Sequence, residues 1–584
     1  MISSNKKYLI LLLLLALLYA CKKEKAFIYV PIEDEFDLVQ IQSDLARYNP
    51  GQLVEFSVDQ VPEGVNVRIK HFNETIHEES LTGTNWSWLP PTEDYKGYLV
   101  ELYRLKDGAE EIVGTTAVDV SSDWTKFPRY GFLSKFGSLD KNQIDGVISN
   151  LNNYHINGLQ YYDWQNKHHS PLKMEGNVPA AMWVDVAGNT VYFETVNNYI
   201  QAAKSKNMAS MFYNLLYGAW DDFAADGVSG QWMIYNDADH QNINKHILPD
   251  SWESDILVTN PGNPDWQEYI LAKTQLVYEF LEFDGWHLDQ LGNRGTVYDF
   301  DGNAISLDNE FQGFLDRLKS TFPEKGMVLN AVNQYGQEQI LNTDVGFAYT
   351  EVWSPNESFA DLAGIIQENF SLSNGELNTV LAAYVNYNLA NNPGIFNTAG
   401  VLLADAVIFA FGGAHLELGE HMLGKEYFPN DNLLVNQDLK SKLLDYYDFL
   451  VAYQNLLRDG GTFNNPMVTS GDGKIKLNNW PPLVSRVSVL GKEWTERQVI
   501  HLLNFTDAVN LNWRDSNGEQ GVPDLKEQLL LQVQFDKTVT SVWCASPDVQ
   551  GGSPQTLEFS QNGNMLSFKV PELRYWSMVV IECG

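Results

Sequence analysis

The stretch Phe283-Asp284-Gly285-Trp286-His287-Leu288-Asp289-Gln290-Leu291-Gly292 decides the fold, together with its counterpart Phe347-Ala348-Tyr349-Thr350-Glu351-Val352-Trp353. Each is a short apolar run that ends on one carboxylate among aromatic rings. Runs of this length read as buried strands. Ahead of the first run, from Asp265 to Phe283, the residues Tyr269, Leu271, Ala272, Leu276, Val277, Phe280 and Leu281 follow a helical period, and Asn263-Pro264-Asp265 supplies the start signal. A helix feeding a strand, repeated along a chain, is the pattern of a parallel sheet closed by crossover helices.

Working outward, eight strand candidates begin near Arg129, Ile156, Ala209, Asp284, Met327, Val345, Thr379 and Ala406. Eight strands between residues 126 and 462 suit a (β/α)8 TIM barrel with enlarged loops. The longest insertion, from Tyr217 to Asn263, is expected to wall the cleft. Helix-like sequence from Asn436 to Leu457 completes the barrel, and Gly460-Gly461 ends it. Residues 21–125 instead alternate apolar and polar positions, as in Val65-Asn66-Val67-Arg68-Ile69-Lys70, with turns at Pro62-Glu63-Gly64 and Asp107-Gly108. That pattern reads as an N-terminal immunoglobulin-like β-sandwich. Residues 463–584 resume short apolar strands and read as a C-terminal β-sandwich. The fold class is therefore multidomain α/β plus β.

The 584 residues carry a net charge of −36. Neutralising phosphates takes clustered Lys and Arg that this chain lacks, so a nucleic-acid partner is excluded and a neutral substrate suits it better. The chain's 16 Trp, 28 Tyr and 29 Phe offer rings that can stack on sugar faces. Residues 1–20 read as an export signal: Lys6 and Lys7 precede an apolar run from Tyr8 to Leu18 that is too short to span a bilayer. Leu18-Tyr19-Ala20-Cys21 resembles a lipoprotein lipobox, which makes Cys21 the expected lipidated N-terminus. The expected location is that of an exported bacterial lipoprotein held to a membrane by acyl chains, with periplasmic and cell-surface faces both open. Cys544 and Cys583 are expected as buried thiols or a disulfide. No Cys/His cluster has metal spacing, so no metal and no cofactor are expected, a carbonyl-built calcium site being left open.

Barrel geometry gathers the strand ends at one mouth. The ends of the eight candidates supply Asp163, Trp164, Lys167, His168 and His169; Tyr213 and Asn214; His287 and Asp289; Asn330 and Asn333; Glu351 and Trp353; Tyr384, Asn386 and Tyr387; and His415, Glu417 and Glu420. Two rim carboxylates, Asp289 and Glu351, are what glycoside hydrolysis requires. For substrate contact the shortlist is Asp163, Trp164, His168, His169, Tyr213, Asn214, His287, Asn330, Trp353, Tyr384, Asn386 and Glu417.

Tyr162-Asp163-Trp164 followed by Lys167-His168-His169-Ser170-Pro171, then Asp284-Gly285-Trp286-His287-Leu288-Asp289, then Tyr349-Thr350-Glu351-Val352-Trp353, resembles glycoside hydrolase family 66 over most of the chain. That family holds endo-dextranases and cyclising isomaltooligosaccharide glucanotransferases. The resemblance implies a flanked (β/α)8 barrel, retaining chemistry on α-1,6-glucans such as dextran and isomaltooligosaccharides, Asp289 as nucleophile and Glu351 as general acid/base. The family's cyclising members carry a carbohydrate-binding module inserted among the barrel repeats, and the Tyr217 to Asn263 insertion is too short for one. The expectation is thus an endo-dextranase, with a cyclising enzyme or a non-catalytic glycan-binding lipoprotein as alternatives.

Overall fold

The computed structural model describes residues 38–584, so the export signal and Cys21 lie outside the described residues. Eight parallel strands alternate with eight helices. They are β1 (Tyr130–Leu133), α1 (Lys141–Asn153), β2 (Gly158–Tyr161), α2 (Phe193–Ser205), β3 (Ala209–Leu215), α3 (Pro264–Phe280), β4 (Gly285–Asp289), α4 (Asp308–Thr321), β5 (Gly326–Leu329), α5 (Gln337–Leu341), β6 (Ala348–Glu351), α6 (Phe359–Leu372), β7 (Thr379–Ala382), α7 (Thr398–Ala410), β8 (Ala414–His415) and α8 (Gln437–Ala452).

Strands β1 to β5 pair in sequence order, as do β6 to β8. A parallel bridge from Asn330 to Tyr349 joins the two arcs at one seam. At the other, Phe132 N–H donates to Leu418 O at 3.0 Å, so the strands complete a ring. Its interior is filled by Tyr130, Phe132, Met211, Val328, Phe347, Tyr349, Val380, Ala382 and Leu416. The period-two alternation of a strand puts Gly285, His287 and Asp289 on that inner side, while Trp286 faces Phe314 of α4. At Gly285 a Cβ would lie 2.2 Å from Gly326 O, so β4 and β5 meet as closely as they do because that position has no side chain.

Local signals explain most boundaries. The Asn263 side chain caps α3 by accepting from Asp265 N and Trp266 N, and Pro264 opens the helix where its missing N–H costs nothing. Asn436 caps α8, and Gly460 and Gly461 take positive φ beyond the helical segment that follows it. The eighth expected strand needs correction: residues from Ala406 to Ala410 belong to helix α7, and β8 is only Ala414–His415. All 13 residues of α7 are buried. A helix wrapped by protein on every side has no polar stripe, and its continuous apolar run is indistinguishable from a buried strand in sequence.

The N-terminal unit packs a four-stranded antiparallel sheet (Asn66–His71, Glu74–Ser80, Lys96–Lys106, Ala109–Val120) against a three-stranded one (Gln42–Ser43, Val54–Ser57, Asn85–Trp88). Val54, Phe56, Val67, Ile69, Trp88, Val100 and Val118 fill the space between them. Beyond residue 461 two further sheets enclose Val489, Ile500, Leu531, Val542, Phe568 and Val579. Cys544 and Cys583 are buried free thiols there. No helix among the described residues is long and apolar enough to cross a membrane.

Candidate active site

Asp289 ends β4 and Glu351 ends β6, and both carboxyls open onto the mouth of the ring. Asn330, the residue after β5, lies between them. Its side-chain carbonyl accepts Glu351 N–H at 3.1 Å, which fixes the amide so that Nδ2 points at the acids. That nitrogen is 2.8 Å from Asp289 Oδ1 and 3.2 Å from Glu351 Oε2. Two such legs from one atom keep the two oxygens closer than the roughly 6.5 Å at which a nucleophilic water begins to fit between paired carboxyls.

Donors hold both carboxyls. Asp289 accepts from Tyr213 Oη at 2.8 Å and from Gln290 N at 2.8 Å besides Asn330. Glu351 accepts from Tyr384 Oη at 2.6 Å and takes the longer leg of the Asn330 contact. Burial raises both carboxyls; Tyr213, Asn330 and Gln290 oppose the rise at Asp289, Tyr384, Trp353 and Asn330 oppose it at Glu351, and the nearby Asp289 charge adds to it at Glu351. Glu351 is pushed up to about 7. The Asp289 charge thus favours the protonated form of Glu351.

Other shortlisted residues divide into two groups. Tyr213, Asn330 and Tyr384 hold the acids, and Trp353 lies beside them with its ring 5.4 Å from that of Tyr384. Asp163 stands at the same mouth with φ of 49°, and burial with the Asp185 charge pushes its carboxyl up to about 8. Lys167, four residues on, pairs not with Asp163 but with Asp222 at 2.5 Å and Asp226 at 2.7 Å.

The structure places the remaining residues apart from the acids, each with a packing or anchoring contact. Trp164 is wholly buried, with its indole N–H donating to Tyr213 O at 3.1 Å. Asn214 points outward from β3 and donates to His168 O at 2.9 Å. His168 accepts from the Trp220 indole, and His169 accepts from Trp220 N and so donates from Nε2 to Asp226 at 2.9 Å. These two histidines fasten the 217–263 insertion to the loop after β2, and backbone pairing of Tyr235 with Tyr298 fastens it to the loop after β4. His287 lies one layer below Asp289 among the rings of Tyr130, Tyr213 and Tyr349, and burial pushes it down to about 3. Asn386 donates to Asp515 O at 2.8 Å, an anchor for a loop of the C-terminal unit. Glu417 is buried outside the ring, accepting from Tyr447 Oη at 3.0 Å beside His415 and Asp405. Glu420 accepts from Ser134 N and Lys135 N at the end of β1. Asp185, whose charge acts on Asp163, and Arg514, stacked over the Trp353 ring, also stand near these residues; neither lies at the end of a ring strand, so position along the chain carries no signal for them.

Asp163 at about 8, Asp185 at about 6, Glu417 at about 8 and Asp548 at about 6 are all raised chiefly by burial. Each binds its proton more tightly folded than unfolded, so the stability it contributes is full below the unfolded value of about 4 and is lost as pH climbs through the folded value. Carboxyls held low, such as Asp119 beside Arg129, are ionised in both states over this window and add no slope. Buried histidines pushed down to about 3, such as His168, His287, His421 and His501, are protonated only in the unfolded chain below about pH 6.5 and oppose this slope there. The melting temperature should therefore fall between about pH 7 and about pH 8, where Asp163 and Glu417 lose their protons, as scanning calorimetry would record; a rise across that window would contradict the burial of these two groups.

A family model described as Glycosyl hydrolase family 66 matches residues 43–580. A cycloisomaltooligosaccharide glucanotransferase of Niallia circulans is 27% identical, over 93% of this chain and 71% of its own length. A dextranase of Streptococcus salivarius is 24% identical, over 89% of this chain and 72% of its own. Among solved structures, a cycloisomaltooligosaccharide glucanotransferase of Paenibacillus sp., complexed with cycloisomaltoheptaose, superposes with a TM-score of 0.86 at 25% identity, over 93% of this chain and 99% of that one.

Proposed function

The chain belongs to glycosyl hydrolase family 66, and on that premise we propose that it is a retaining endo-dextranase that cuts internal α-1,6 bonds to release isomaltooligosaccharides. We read its ring as a (β/α)8 barrel between immunoglobulin-like and C-terminal sandwiches, exported and tethered at Cys21. The observation that carries the chemistry is the single Asn330 amide shared by Asp289 and Glu351. In this reading Asp289 attacks the anomeric carbon while Glu351 gives its proton to the departing glycosidic oxygen, leaving a covalent β-glucosyl ester on Asp289. Glu351, now ionised, takes a proton from water as the water oxygen displaces Asp289, and the second inversion restores the α configuration. Tyr213 and Tyr384 hold the two carboxyls in place through both steps.

Cyclisation is the second reading, favoured by the names of the glucanotransferase relatives. What supports hydrolysis is that the 217–263 insertion holds only short turns and one two-stranded ladder, Lys245–His246 with Ile256–Leu257, too little for the module that the family resemblance implies among the repeats of a cyclising enzyme. Digestion of dextran should yield linear isomaltooligosaccharides with one new reducing end per bond cut, read by a reducing-sugar assay beside product chromatography. Cyclic products without matching reducing ends would establish the second reading, and binding without turnover would leave a glycan-binding protein.

A further inference from the structure

The C-terminal unit reaches the mouth of the ring through the loop between its strands Arg497–Asn504 and Lys526–Gln534. Three contacts pin that loop to the segments after β6 and β7. Phe359 N–H donates to Leu511 O at 3.0 Å, the Trp513 indole donates to Asn356 O at 2.8 Å, and Asn386 N–H donates to Arg514 O at 2.7 Å.

Arg514 stands at the centre of this contact and is 7% exposed. Its guanidinium donates from Nη2 to Val352 O at 2.9 Å and from Nη1 to Tyr384 O at 3.5 Å. The ring centroids of Trp513, Trp353 and Tyr387 lie 4.5, 5.2 and 5.3 Å from its central carbon. A buried guanidinium is costly unless its donors are met and its face is stacked. Here carbonyls and aromatic rings do both. The two carbonyls have particular owners: Val352 follows Glu351 in the chain, and Tyr384 is the residue whose hydroxyl donates to Glu351 at 2.6 Å. One planar fork thus ties the strand end that carries the acid to the strand end that carries its orienting hydroxyl, while its face lies against Trp353.

We propose that Arg514 is a positioning residue for Glu351, so that the C-terminal unit completes the catalytic apparatus. The inference rests on reading Glu351 as the general acid/base. A rigid fork sets the spacing of two carbonyls in a way that a single flexible ammonium cannot, and a misplacement of about 1 Å at a proton donor costs on the order of 100-fold in rate.

The test compares Arg514→Met and Arg514→Lys with the parent on two substrates: dextran, whose leaving oxygen needs a proton, and isomaltosyl fluoride, whose leaving group does not. We expect kcat on dextran to fall about 100-fold in both variants with KM within about threefold. Single-turnover fluoride release should stay within about threefold of the parent, and the melting temperature should hold. Equal losses on both substrates, or full dextran activity in either variant, would overturn the proposal. Glu351→Gln run alongside supplies the benchmark: if it shows no dependence on the leaving group, the reading of Glu351 fails and the Arg514 inference fails with it.

Discussion

Asp289→Asn will lower kcat/KM on dextran by about 10⁴-fold or more, the scale of losing a nucleophile. The replacement is nearly isosteric, and its side-chain oxygen can still accept from Tyr213, so the fold and binding of isomaltooligosaccharides should survive. What disappears is the charge that attacks the anomeric carbon, and the new amide also faces the Asn330 Nδ2 across 2.8 Å, donor against donor. The assignment can be made positive by truncation. Asp289→Ala leaves room for azide where the carboxylate stood, and with isomaltosyl fluoride it should form the β-glycosyl azide, the product of one inversion. Glu351→Ala with azide should instead form the α-glycosyl azide, because attack then falls on the covalent intermediate. Detection of the β-azide from the Glu351 variant would exchange the two roles, and full activity in Asp289→Asn would end the assignment.

The pair itself was legible in the sequence, for a physical reason. Both acids close apolar runs, and an ionisable residue at that point is either at a strand's exposed end or a defect in the core. The companions were harder to read because strand parity decides them. Tyr213 and Asn214 are neighbours, yet one points to Asp289 and the other outward to His168 O. Parity can be read only once register is known. Where the chain leaves the strand, even parity fails: Asn386 has φ of 60°, which turns its amide toward the C-terminal loop. His168 and His169 have residue types suited to sugars, but their ring nitrogens are spent on Trp220 and Asp226. Arg514 lies 163 residues beyond Glu351 (514 minus 351) in another folding unit, and no periodicity connects the two.

Glu351→Gln is the second large effect, and its signature is selectivity. Loss of a general acid costs on the order of 10² to 10⁴ in rate when the leaving group needs a proton, so kcat on dextran should fall within that range. Release of fluoride from isomaltosyl fluoride should be nearly spared in a single turnover, after which the ester on Asp289 should accumulate because no base activates water. The pH profile supplies an independent check. Glu351 must be protonated to act, and its carboxyl is pushed up to about 7 by burial and by the Asp289 charge. The parent's kcat/KM should therefore decline above about pH 7, approaching tenfold per unit. It should also decline on the acid side as Asp289, itself raised by burial, takes up its proton. These limbs belong to the coupled pair rather than to either residue alone. Glu351→Gln carries a neutral amide at every pH, so the alkaline limb should vanish while the acid limb, which then belongs to Asp289, persists. An alkaline limb that survives the substitution would place the proton on another group, with Asp163, pushed up to about 8 at the same mouth, the first to test.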